Sequence, residues 1–420
     1  MLISMPGRDQ STEGWAAETF SALARMPVEG PEPVVWPFTP YYTGNPFQSV
    51  LYSRFGAQNL VAAPTFRAAD LLTTTRNWPG DVPLVVHLHW LNQVLARAAD
   101  DRTADEAVGR HGEMLDKLLA RGAKLVWTVH NVLPHDARFE AQEVRLREQV
   151  VQRADLVHVM SSRTVEAVED WFALPREKLY QCDHPGYQGV YPDWISRVEA
   201  RRRLRIPDAA VALLLTGAVK PYKGIADLLE AVDRVSRARP GEVVLIVAGR
   251  PDEAPETKEF VTAAAAHPAV RLLPAQVPDT DIQVLMRAAD LVALPYRRSL
   301  NSGVLALALS FGRPVLLPSN SGSLPVVDGG AALVYPPDGV EALTDAVFRC
   351  LDADLAALDR AAAAAGRRID RTLISERFAA DMRSWADTGV VPETAPAAEL
   401  SVQTEVVAGI AAGIPPGAAR

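Results

Sequence analysis

Short, almost uninterrupted apolar runs separated by polar, helix-compatible stretches constrain this chain more than any other feature. Leu84-Val85-Val86-His87-Leu88-His89, Leu125-Val126-Trp127-Thr128-Val129 and Leu156-Val157-His158-Val159-Met160 recur across its first half. Runs of this length suit central strands of a parallel sheet, because such strands are covered on both faces. The stretch 101–121 reads as a helix, and so does Thr164–Trp171, with Ser161-Ser162 as its N-cap candidates and Glu166 and Glu169 adding negative charge near its start. Strand and helix signals alternating at this spacing predict βαβ units.

The pattern breaks near 190–205, at Tyr191-Pro192-Asp193 and a charged stretch, and then restarts. Ala210–Leu215, Val243–Ala248, Val270–Leu273, Leu291–Pro295 and Val315–Pro318 read as strands; Ile225–Val235, Gly303–Phe311 and Ser375–Ala386 read as helices. The turn-rich N-terminus offers strand candidates at 1–5 and 33–38. The expected organisation is an α/β domain over 1–200, a second over 201–368, a helix within 369–390 and a tail over 391–420 with no fold of its own. A length of 420 residues fits two or three domains, and 48% hydrophobic residues supply their cores.

Charge and cysteine content narrow the function classes. A net charge of −8 argues against binding a polyanion, and Arg201-Arg202-Arg203 reads as solvated surface. Cys182 and Cys350 make neither a disulfide framework nor a zinc site, which fits a reducing compartment. The opening MLISMPGRDQ lacks the basic-then-apolar pattern of a secretory signal, and no apolar run is long enough to span a bilayer. A cytoplasmic protein is expected, with peripheral contact at the inner membrane face left open.

Ligands of open parallel sheets bind outside the carboxyl ends of the strands. His87, His89 and Trp90 end one strand here, and His130, Asn131, Pro134 and His135 follow the next. His87 and His89 share side-chain parity, so at least one is open to a packed, backbone-bonded role. In the second half, the loop Gly217–Gly224 offers close backbone approach at its glycines and positive charge at Lys220 and Lys223, although it is no P-loop. Asn301-Ser302-Gly303 opens a helix whose N–H groups can cradle a phosphate, with Arg297 and Arg298 just upstream to neutralise a diphosphate. The competing readings are a solvated loop for the lysines and a simple helix cap for Ser302. The histidines lack HExxH spacing and a carboxylate cluster, so no metal is expected. Cys182-Asp183-His184 reads as a turn at the interdomain cleft, and no GxGxxG loop with a downstream carboxylate points to NAD.

Several ordered segments across about 40–385 resemble family-4 glycosyltransferases with the GT-B fold. Val126-Trp127-Thr128-Val129-His130-Asn131 resembles the strand-and-histidine element of the first domain, and Gly217–Gly224 the donor-phosphate loop that opens the second. Ala288–Tyr296 is similar to the strand leading to the donor site, and Gly312-Arg313-Pro314-Val315 to the element after the following helix. Ser375–Trp385 resembles a helix crossing back to the first domain. The resemblance implies an α/β protein of two Rossmann-like domains with parallel sheets facing across a cleft, the first on the acceptor side and the second holding a nucleotide sugar. It implies transfer of a hexosyl residue to a saccharide, lipid-linked or small-molecule hydroxyl, with retention and with no obligatory cofactor.

By the same resemblance, His130 lies near the transferred sugar and Lys223 is the donor-phosphate lysine. The partner arginine falls at Ala218, with Lys220 as its replacement, and together His130, Lys223 and Lys220 form the expected catalytic set. Gly217, Arg297, Arg298, Asn301, Ser302 and Gly303 complete the donor side. Asn45, Gln48 and Tyr52 match an N-terminal element of bacterial exopolysaccharide-type transferases of an Asn-Ser-Gly subgroup. With His87, His89, Trp90, Asn131 and His135 they form the expected acceptor side. Two family glutamates fall at Ser299 and Leu307, where no carboxylate exists. That departure keeps two other classes in play: an epimerase or hydrolase of the same fold, and a non-catalytic nucleotide-sugar-binding protein.

Overall fold

The computed structural model describes residues 31–76, 82–134 and 137–393. The strand candidate at 1–5, His135 and nearly all of the 391–420 tail lie outside them. Two six-stranded sheets, parallel throughout, organise the described chain. The first contains β1 (Val34–Thr39), β2 (Leu60–Pro64), β3 (Val85–Leu88), β4 (Lys124–Thr128), β5 (Leu156–Val159) and β6 (Leu179–Gln181), in the order 2-1-3-4-5-6. The second contains β7 (Val211–Thr216), β8 (Val243–Ala248), β9 (Val270–Leu273), β10 (Leu291–Ala293), β11 (Val315–Pro318) and β12 (Ala332–Tyr335), in the order 12-11-10-7-8-9. That second order is the doubly wound Rossmann arrangement, which reverses between β7 and β10 and opens a crevice at their carboxyl ends. The pair of Rossmann-like domains is the GT-B fold.

Beyond the strands read from sequence, β2, β6 and β12 complete the sheets. All three are edge strands; β6 is only three residues long and partly polar, whereas β2 and β12 are short apolar runs that sequence reading passed over. Two local readings need correction. Ser161 and Ser162 do not cap the helix Thr164–Val168: Arg163 holds that position, and the Ser161 hydroxyl donates instead to Gly322 O at 2.6 Å in the second domain. Arg201 is not surface, for it is 2% exposed. Its guanidinium donates to Asp290 Oδ2 at 3.1 Å and to the carbonyls of Pro207, Ala210 and Ala288. A buried guanidinium needs this many acceptors, and the irregular chain before β7 and the turn before β10 supply them. Arg202 and Arg203 pair with Glu199 on the outside.

The helix Arg371–Thr388 buries Ile374, Phe378, Met382 and Trp385, a spacing of three and four that makes one apolar stripe. That stripe closes a core with Trp36, Phe38, Tyr52 and Phe55 of the first domain. Phe378 stacks on Phe55 with centroids 5.8 Å apart and planes 9° from parallel, and Lys124 Nζ donates to Ala386 O at 3.0 Å. Phe378→Ala is expected to cost about 3–5 kcal/mol of stability in chemical unfolding, because an aromatic ring leaves a cavity that its neighbours cannot refill; a loss below about 1 kcal/mol would show that the helix is not held by this core.

Candidate functional site

On the first-domain side the site begins where β3 and β4 end side by side, with Leu88 opposite Trp127. Strand parity puts His87 and His89 on one face, their rings stacked at 4.4 Å. His87 Nε2 lies 2.7 Å from Thr128 Oγ1, which lies 2.9 Å from His158 Nδ1, and His158 Nε2 meets the Cys182 carbonyl at 2.9 Å. In the other direction, Tyr52 Oη lies 2.7 Å from His87 Nδ1 and 2.6 Å from His89 Nε2. His89 Nδ1 then reaches His130 Nε2 at 2.9 Å. Burial, reinforced by the neighbouring imidazoles, holds His87, His89 and His130 well below the ordinary imidazole range, and burial brings His158 down to about 4. All four are neutral at pH 7. His130, half-buried, stacks on Trp90 at 3.9 Å and ends the chain at the cleft.

The expected acceptor-side residues therefore divide. Tyr52, His87 and His89 are fully buried behind His130. Gln48 is fully buried too, donating to Pro40 O at 2.9 Å and accepting from Tyr42 N at 3.1 Å, so it pins a loop. Asn45 accepts from Phe47 N at 3.0 Å. Asn131 lines the cleft with His130, and Trp90 supports the His130 ring.

The second-domain side is charged. After β7 the loop turns at Gly217 (φ +82°) and again at Gly224 (φ +66°), left-handed conformations that favour glycine. Close approach fixes both, since a Cβ on Gly224 would meet Pro295 O at 2.2 Å and one on Gly217 would meet Lys223 Nζ at 3.0 Å. Lys223 is 5% exposed and donates to Thr216 O at 3.0 Å. Among the described residues no carboxylate pairs with it. Desolvation, helped by the Lys220 charge, pulls its pKa down to about 8. Its Nζ also lies over the Tyr296 ring at 5.6 Å from the centroid, and a buried cation held by one carbonyl and one aromatic face is poised for an anion.

Asn301 and Ser302 have structural partners. Ser302 Oγ accepts from Leu305 N at 3.2 Å and caps the helix Gly303–Ser310. Asn301 Nδ2 donates to Val129 O at 3.2 Å and His130 O at 3.4 Å, tying the second domain to the end of β4. Arg297 pairs with Asp227 at 3.6 Å, and Arg298 lies over the Trp171 ring. Both arginines line a cleft of about 400 Å³ between the domains, with His130, Asn131, Pro134, Tyr222 and Tyr296.

Sequence reading missed Glu140, Tyr222 and Tyr296 in the cleft, and His158 and Thr128 behind it. A histidine inside the apolar run of β5 was the available signal for the last pair. Cys182 contributes its carbonyl, while burial pushes its thiol up to about 12; Asp183 is mostly buried, and His184, brought down to about 4, packs against Phe47 at 4.8 Å. Among the described residues no cluster of three or more His, Cys, Asp or Glu could hold a metal ion, and no helix is long and apolar enough to cross a membrane.

Residues 210–353 match the family described as Glycosyl transferases group 1. The chain is 30% identical over 248 residues to the GDP-mannose:glycolipid 4-beta-D-mannosyltransferase of Xanthomonas campestris pv. campestris, covering 58% of this chain and 64% of that protein. It is 30% identical over 311 residues to the D-inositol 3-phosphate glycosyltransferase of Actinosynnema mirum, covering 68% of this chain and 67% of that one. In structure it is similar to sucrose-phosphate synthase from Thermosynechococcus elongatus, with a TM-score of 0.62 at 15% identity over 90% of this chain and 100% of the other.

The lysine yields a test that needs no ligand. With a folded pKa near 8 and an unfolded value of 10.5, the unfolded chain binds the proton more tightly, so charged Lys223 costs stability below about pH 8 and that cost fades as pH rises towards 10.5. Lys223→Met should be more stable than wild type at pH 7 by about 3 kcal/mol, the gap closing by pH 10 in urea unfolding. A gap independent of pH would mean that the ammonium is solvated.

Proposed function

The chain belongs to the group 1 glycosyl transferases, and from that premise we propose that it transfers a hexosyl residue from a nucleotide diphosphate sugar to a hydroxyl acceptor. The single observation that carries this reading is the buried Lys223 ammonium, left without a carboxylate partner beside a glycine-turned loop. An entering diphosphate supplies the missing charge, and its affinity is set by how poorly the lysine is otherwise satisfied. Lys220 adds positive charge close to Lys223, and Arg297 and Arg298 line the cleft beside the Pro221–Tyr222 part of the same loop. As the sugar–phosphate bond loosens, negative charge grows on the leaving diphosphate, and fixed cations in a water-poor cleft stabilise that state more than the ground state. No protein carboxylate is needed when the acceptor proton passes to the departing phosphate, the route that retains anomeric configuration. Absence of a carboxylate at Ser299 and Leu307 is compatible with that route.

The acceptor enters from the first-domain side, past His130 and Asn131. The Xanthomonas protein is named for a glycolipid acceptor and the Actinosynnema protein for an inositol phosphate, which supports a lipid-linked or small-molecule hydroxyl here. A lipid-linked acceptor places the reaction at the cytoplasmic face of a membrane.

Screening nucleotide sugars for turnover, alone and with candidate acceptors, tests the class: transfer supports the proposal, whereas donor cleavage or epimer formation with no transfer favours the epimerase or hydrolase. Lys223→Ala should lower kcat/KM by roughly 100-fold or more while near-UV circular dichroism stays native. Unchanged turnover in that variant would remove the lysine from the mechanism. The anomeric coupling of the isolated product, read by NMR, decides between retention and inversion.

A further inference from the structure

The buried chain from Cys182 to His130 contains one fixed end, and hydrogen-bond logic propagates from it. The Cys182 carbonyl is only an acceptor, so His158 carries its hydrogen on Nε2. His158 is neutral, which leaves Nδ1 bare, and at 2.9 Å the Thr128 hydroxyl must donate to it. Thr128 Oγ1 then accepts from His87 Nε2 at 2.7 Å, so His87 Nδ1 is bare in turn. Two donors meet that lone pair, the Tyr52 hydroxyl at 2.7 Å and Trp36 Nε1 at 3.2 Å. With its single hydrogen spent on His87, Tyr52 accepts from His89 Nε2 at 2.6 Å. His89 Nδ1 is therefore bare and takes the Nε2 hydrogen of His130 at 2.9 Å. At no link do two lone pairs or two hydrogens face each other.

We infer that Tyr52 and His89 are positioning residues that lock His130 as its Nε2–H tautomer, so that Nδ1 presents a bare lone pair to a substrate hydroxyl in the cleft. Among the described residues no group bonds His130 Nδ1, and Trp90 and Phe47 hold the ring by stacking and edge contact at 3.9 and 5.1 Å. The opposite tautomer would point an N–H into the cleft and favour a carbonyl or phosphate oxygen instead of a hydroxyl. The inference deepens the proposed function and rests on it only in taking the occupant to be a sugar.

The chain also predicts which breaks matter. Tyr52→Phe removes the hydrogen-bond bridge between the stacked His87 and His89 rings and frees the His89–His130 pair to reverse. Thr128→Val breaks the chain further back, but Trp36 still donates to His87 Nδ1 and keeps Tyr52, His89 and His130 in their direction. Both variants are nearly isosteric and both remove a buried hydroxyl, so a purely structural role would make them behave alike.

Histidine-labelled full-length protein, observed by long-range ¹H–¹⁵N correlation with His130 assigned from a His130→Gln spectrum, reads the tautomer directly. Wild type and Thr128→Val should show His130 Nδ1 in the unprotonated, pyridine-like region and Nε2 in the protonated, pyrrole-like region. In Tyr52→Phe the ratio of the two tautomers should move by about tenfold or more towards Nδ1–H, the scale of one lost buried hydrogen bond. Nδ1–H in wild type, or equal tautomer ratios in the two variants, overturns the inference. This readout needs no turnover, so a protein inactive on every nucleotide sugar but with the expected tautomers would count against sugar transfer alone.

Discussion

A parallel sheet delivers all its carboxyl ends to one edge, and everything functional in this molecule follows from setting two such edges across one cleft. The loops after β4, β7 and β10 supply its walls, and each leaves a strand whose residues are almost all buried. Polar groups that reach the cleft therefore lie just past the strands, while His87, Thr128 and His158, inside β3, β4 and β5, are buried behind them with every partner supplied. The two sides meet through backbone: the Asn301 amide donates to the carbonyls of Val129 and His130, and Ser161 donates to Gly322 O. These contacts set the second domain against the residue that faces the ligand, so a shift of the domains is felt directly at His130.

The two walls solve opposite electrostatic problems. On the second-domain side a charge is buried and left short of partners, a state that opposes folding and is relieved when an anion arrives. On the first-domain side several titratable rings are buried with no charge at all, each hydrogen assigned by the next group along. A stray proton there would be expensive, because burial strips the charged ring of water and the neighbouring imidazoles oppose any second charge. The neutral wall suits recognition of hydroxyls, and the cationic wall suits a departing diphosphate.

The fold was legible because its central strands are predominantly apolar and most of the helices between them carry a polar face, Gly303–Ser310 excepted, a contrast that survives without any tertiary information. Of the edge strands that escaped, β6 is too short to carry that contrast, while Leu60–Pro64 and Ala332–Tyr335 carried it in stretches of only four or five residues. At the site, Lys223 stood out by its glycine-bounded loop, yet sequence could not say that its ammonium is buried; that depends on Gly224 passing within contact of Pro295, a pairing more than 60 residues apart. Arg201 misled for the same reason. Its neighbours in sequence are solvated, whereas its own partners include Ala288 and Asp290 across the sheet. His87 and His89 were recognised as unusual, but their parity alone did not reveal that Tyr52 from a different element bridges them.

Departures at Ser299 and Leu307 acquire a physical setting once the walls are seen together. Leu307 is 7% exposed and packs in the core of the second domain, where an ionised carboxylate would be costly without a partner. Ser299 borders the cleft beside Arg297 and Arg298. A carboxylate placed there would offset the positive charge of those arginines, whereas serine leaves their field intact. Glu140, in the same cleft but from the opposite domain, is exposed and tethered to the helix Glu140–Arg153. The carboxylate that lines the cleft thus comes from the first domain, facing Arg297 and Arg298 of the second.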